Sequence, residues 1–139
     1  MQSGRHRTVR RFAVDVVVSA AAVSAGAHAA LVPEHLREAP QLGIAFIVSA
    51  VLLLAAAGVA TLSDSSSAMA ATALLFAGLI AAYVASRTTG IPWLQPDAEP
   101  ADAVGLATKV VGASGFFFAL KLIHSVGDER SFTSQEVTP

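Results

Sequence analysis

Residues 28–43, "HAALVPEHLREAPQLG", place two His, two Glu and one Arg inside a chain that is otherwise mostly Ala, Val and Leu. His28, Glu34, His35 and Glu38 are ligand types suited to zinc, copper or iron. Glu34 and Glu38 are four residues apart, and His35 and Glu38 three apart, so each pair can share a helix face. A metal site needs three or four convergent ligands, and no H-E-x-x-H pattern is present. His28, His35 and Glu38 are the candidate metal ligands; the alternative is that loop residues at a membrane surface are polar because water is there. Two further charges belong with this group. Arg87 stands where the third apolar run ends, and Lys109 lies inside the fourth. Arg87 is expected to pair with Glu34 or Glu38 and dock two loops together. Lys109 lies roughly 10 Å past the start of its helix at 1.5 Å per residue. It can snorkel to the surface, or face inward toward His28, Glu34, Glu38 or Asp102, because intramembrane charges are costly and often functional.

The elements that must carry these residues follow from composition. Of the 139 residues 54% are hydrophobic and 14% charged, with a mean hydropathy of +0.62. Soluble domains carry about 25% charged residues, so this chain has too few to cover a water-facing surface. Net charge is −1, which provides no basic field for nucleic acid. There is no Cys, which removes disulfides, thiolate ligands and cysteine nucleophiles.

Four apolar runs, 12–32, 42–62, 68–85 and 103–123, are each near the ~20 residues that cross a bilayer as a helix. None alternates polar and apolar as a barrel strand would. The first run also resembles a secretory signal, with "RHRTVRR" before it and "AGAHAA" at its end. Asp15 interrupts the apolar stretch, and the run exceeds a typical signal core, so it is read as a retained helix. The expected fold is all-α: an up-down-up-down four-helix transmembrane bundle, in a single membrane domain. Loops 33–41 and 86–102 lie at one end and polar tails cover 1–11 and 124–139. Residues 33–39 are read as a turn or two of separate interfacial helix, with Pro33 at its first position and Pro40 ending it. Ala56 with Ala60, Ala77 with Ala81, and Gly78 with Ala82 have the spacing of close-packed membrane helices, although Ala is abundant throughout.

Arg5, Arg7, Arg10 and Arg11 precede the first helix, and Lys121 and Arg130 flank the end of the fourth. The positive-inside rule then puts both termini in the cytoplasm of a multi-pass plasma-membrane protein. Loops 33–41 and 86–102 face outward. Tyr83 and Trp93 fit an interfacial aromatic belt.

"VPEHLREAPQLGIAF", "AAYVASRTTGIPWLQPD" and "VGLATKVV" resemble a group of small, Ala-rich, four-helix membrane proteins of high-GC bacteria. The shared pattern is a His ending the first helix, E-A-P-x-L-G-x-x-F entering the second, and Y-x-x-S-R-T-x-G-x-P leaving the third. The resemblance covers residues 28 to about 111. His28, Glu38, Pro40, Gly43, Phe46, Tyr83, Ser86, Arg87, Thr88, Gly90 and Pro92 match position by position. It implies a fold and these positions, and carries no activity. An acidic residue expected soon after the fourth-helix Lys is missing from "KVVGASG".

No phosphate loop, nucleophile elbow or C-x-x-C is present, so no enzymatic chemistry is assigned. No cofactor is expected. His28 and His124 fall at opposite ends of the bundle, too far apart to share a haem. The partners expected are the lipid bilayer and other membrane subunits or a second copy. Three roles fit: a non-catalytic accessory subunit acting through its outer face; a metal- or small-ligand-binding module using His28, Glu34, His35, Glu38, Arg87 and Lys109; or a component of a small transporter or channel.

Overall fold

The computed structural model describes residues 2–63 and 65–135, with side chains for 7–63 and 65–125. Four helices occupy almost all of it: α1 (Gln2–Glu38), α2 (Pro40–Leu62), α3 (Ser66–Thr88) and α4 (Ala103–Gln135). Each contains a segment long and apolar enough to cross a membrane. α1 packs on α2 and α4, and α3 on α4. α2 and α3 pack least extensively, so the helices neighbour one another in the order α1, α2, α3, α4 and back to α1.

Two boundaries differ from the sequence reading. The expected loop 33–41 is helix on both sides of Ala39. α1 runs through Pro33 to Glu38, and α2 starts at Pro40. Pro33 has no N–H to donate to the Ala29 carbonyl four residues back, and the helix continues through it; two residues on, the His35 imidazole Nδ1–H donates to the Leu31 carbonyl at 2.8 Å. The Ala39 N–H donates to the His35 carbonyl at 2.8 Å. Pro40 suits the first helical position because the N–H it lacks would have had no intrahelical acceptor. The expected polar tails are the second difference. Residues 2–11 extend α1 and residues 124–135 extend α4 as helix. Met1 and residues 136–139 of those tails lie outside the described residues.

The core is small-residue packing on α1. Ala13, Val17, Ala20, Ala21, Ser24, Ala25 and His28 recur at three- and four-residue steps along one buried face. Near the α2–α3 turn, Ala13 and Val17 meet Ala60, Met69, Ala73, Ala119 and Leu122. In the middle, Ala20, Ala21 and Ala25 meet Leu53 and Phe76. Phe76, 1% exposed, is the largest buried side chain and fills the bundle axis. It fits because Gly115 faces it: a Cβ there would lie 2.6 Å from the Phe76 ring and 2.8 Å from Ala20 Cβ. Membrane helices gain stability from such close approach because lipid offers no competing hydrophobic drive. The three small-residue pairs singled out from spacing are not this seam. Only Ala60 among them is buried, while Gly78, Ala81 and Ala82 are exposed. Around the outside stand large exposed apolar side chains, among them Val23, Ile44, Val51, Leu54, Leu74 and Phe117. Water would penalise that surface and hydrocarbon would not.

Candidate functional site

Beyond Phe76, toward the end that carries the α1–α2 and α3–α4 connections, the axis is no longer filled. A cavity of about 630 Å³ opens there. It is within the range of small-ligand pockets, roughly 300–1,000 Å³. Every residue of the sequence-derived cluster lines it: His28, Glu34, His35 and Glu38 from α1, Arg87 from α3 and Lys109 from α4. Phe46 from α2, Tyr83 from α3 and Gln95 from the α3–α4 connection complete the polar and aromatic parts of the wall, with Leu31, Leu42 and Leu79 among the apolar ones.

The two imidazoles are held alike. His28, 8% exposed, donates its Nδ1–H to the Ser24 carbonyl at 2.7 Å, as His35 does to Leu31. A carbonyl can only accept, so Nδ1 carries the proton and Nε2 is left for other partners. Both rings pack on Phe46, with centroids 5.3 Å and 4.5 Å away. One α2 aromatic thus fixes both α1 histidines.

Arg87 does not reach Glu34 or Glu38. It pairs with Glu99 at 2.8 Å and Asp102 at 3.0 Å, both in the connection that follows its own helix. The local backbone explains the choice. Gly90, at φ 70°, turns the chain out of α3, and a Cβ at that position would collide with the Pro96 carbonyl. Ile91 and Gln95 then pair across a tight turn, and the Glu99 N–H donates to the Ser86 carbonyl at 3.1 Å. The connection folds back over the end of α3 and brings its own carboxylates to Arg87. Asp102 serves two elements: Oδ2 takes Arg87, and Oδ1 accepts the Gly105 N–H at 2.6 Å, an N-cap on α4.

Lys109 faces the cavity. Its Nζ sits 5.4 Å from the Tyr83 ring centroid, and the Arg87 guanidinium carbon 5.1 Å from the same ring. Tyr83 is therefore a shared cation–π platform. Lys109 makes no ion pair among the described residues, nor do Glu34 and Glu38. Three buried donor-bearing atoms on this wall, Tyr83 Oη, Arg87 Nε and Gln95 Nε2, have no hydrogen-bond partner among the described residues. Each such group costs about 1–3 kcal/mol unless something accepts from it.

The sequence reading missed Tyr83, which it placed in the aromatic belt, and gave Gln95 no role. The signal for Tyr83 was its four-residue spacing from Arg87, which stacks both on one face of α3. Gln95 had no signal, because its position depends on how the connection folds back. The candidate metal ligands His28, His35 and Glu38 share the cavity wall, but no group of three or more His, Asp or Glu among the described residues is close enough to hold a metal ion. Comparison with protein-family models, with curated proteins and with solved structures finds no match.

Proposed function

We propose that this chain is a multi-pass plasma-membrane protein whose outward-facing cavity binds a small amphipathic molecule. Its four spans run up-down-up-down with both termini in the cytoplasm. The basic residues Arg5, Arg7, Arg10 and Arg11 before the first span support that orientation. The observation that carries the binding reading is the convergence of all six polar residues, from three helices, on one partly apolar cavity. Scattered surface polarity would not converge. A pore along a single copy has no comparable support, because Val17, Leu53 and Phe76 occupy the axis.

Two experiments test this. The chain has no Cys, so single cysteines at Thr89 and Ser125 report topology against a silent background. A membrane-impermeant maleimide applied to intact cells should label Thr89→Cys and leave Ser125→Cys unlabelled; the reverse pattern overturns the orientation. Native mass spectrometry of the detergent-purified protein should find a bound amphiphile. Ala45→Phe, which fills the cavity from α2, should release it. An amphiphile retained equally by Ala45→Phe and wild type, or none retained by either, overturns the cavity reading.

A further inference from the structure

The cavity wall has a definite charge plan. Four carboxylates and two cations line it: Glu34, Glu38, Glu99 and Asp102 against Arg87 and Lys109. Arg87 is held by Glu99 and Asp102. That leaves one cation, Lys109, and two carboxylates, Glu34 and Glu38, with no ion pair among the described residues. They are set at different depths. Lys109 lies about 10 Å along α4 from its start, while Glu34 and Glu38 lie in the last two turns of α1. Beside Lys109 the Tyr83 Oη has no partner among the described residues and carries a hydrogen to donate; Arg87 Nε and Gln95 Nε2, toward the α3–α4 connection, are the other unpartnered donors on the wall. The deep part of the site therefore asks for an acceptor-rich anion, and the rim asks for a cation.

A simple anion would satisfy the depth and be repelled at the rim. A simple cation would do the reverse. Resting on the binding reading above, we infer that the cavity takes the zwitterionic headgroup of a bilayer lipid, with its phosphate at Lys109 and Tyr83 and its ammonium at Glu34 and Glu38. The order matches a lipid standing in the outer leaflet, where the phosphate lies nearer the hydrocarbon than the ammonium. The apolar part of the wall suits the lipid's glycerol and upper acyl carbons. Phe46 on α2 and Leu79 on α3 supply it, on the two helices that pack least against each other.

The full chain, purified in mild detergent and offered phosphatidylethanolamine, phosphatidylglycerol or soluble glycerophosphoethanolamine, tests this by native mass spectrometry. Wild type should retain phosphatidylethanolamine about tenfold over phosphatidylglycerol, the size of one well-placed charge contact. Glu34→Gln/Glu38→Gln should collapse that preference, and Lys109→Gln should lower retention of both lipids. The soluble headgroup should not compete at equal concentration; if it does, the lipid source is wrong. Equal or greater retention of phosphatidylglycerol by wild type, or charge variants that change nothing, overturns the headgroup assignment. In that case Ala45→Phe still releasing the lipid leaves the cavity reading standing. Loss of that effect removes both.

Discussion

Replacing Asp102 with alanine removes two contacts at once, and the two can be separated. One carboxylate oxygen caps α4 through the Gly105 N–H at 2.6 Å, and the other takes the Arg87 guanidinium at 3.0 Å. Loss of an N-cap costs about 1 kcal/mol. The Asp102 side chain is half exposed and that of Arg87 is 20% exposed, so solvent screens the pair and it contributes only about 0.5–1 kcal/mol. Asp102→Ala should therefore destabilise by about 1.5–2 kcal/mol. Asn is an equally good cap, but its amide carries no charge for Arg87. Asp102→Asn should lose only the pair, about 0.5–1 kcal/mol. Unfolding by dodecyl sulfate from a mild detergent, followed by circular dichroism, measures the global cost. The single tryptophan, Trp93, is 82% exposed on the α3–α4 connection, so its fluorescence reports the local cost. If Asp102→Asn is as damaging as Asp102→Ala, the cap contributes nothing and the reasoning fails. The same follows if Asp102→Ala leaves both signals unchanged.

The helix packing and the cavity wall make two more expectations. Gly115→Ala should destabilise by about 1–3 kcal/mol through overpacking against Phe76, whereas Gly112→Ala, whose Cβ would sit an ordinary 3.5 Å from Phe76, should be nearly neutral in the same unfolding assay. Tyr83→Phe deletes a hydroxyl that has no partner among the described residues. Ligand-free stability should therefore hold or rise, while lipid retention in native mass spectrometry falls; a clear loss of ligand-free stability would mean that hydroxyl is already satisfied within the protein.

Helix number and approximate span limits were legible because an apolar run near the bilayer thickness constrains the backbone by itself. The polar part of the cavity wall was also legible: His28, Glu34, His35, Glu38, Arg87 and Lys109 stand out against an apolar background, and antiparallel neighbours bring such ends together. Local patterns misled at two places. Pro33 and Pro40 read as brackets around a separate segment. A proline permits a helix start but does not forbid helix on both sides, and packing on α2 keeps α1 helical to Glu38. Small-residue spacing pointed to α2 and α3, because alanine is abundant on lipid-facing and buried faces alike. Only the partner decides which stripe is a seam, and that partner is Phe76 lying in the space left by Gly115.

The amino-acid order alone therefore determined the class of object and the residues with chemistry to offer, through hydropathy, helix length and the scarcity of charge. The tertiary structure decided which charges are spent and which are free. Arg87 is spent on Glu99 and Asp102 because the Gly90 turn folds the connection back over α3. Lys109, Glu34 and Glu38 make no ion pair among the described residues, and they sit at different depths on neighbouring helices that line one cavity. Pairings of that kind depend on distances between segments far apart in sequence, which no local spacing encodes.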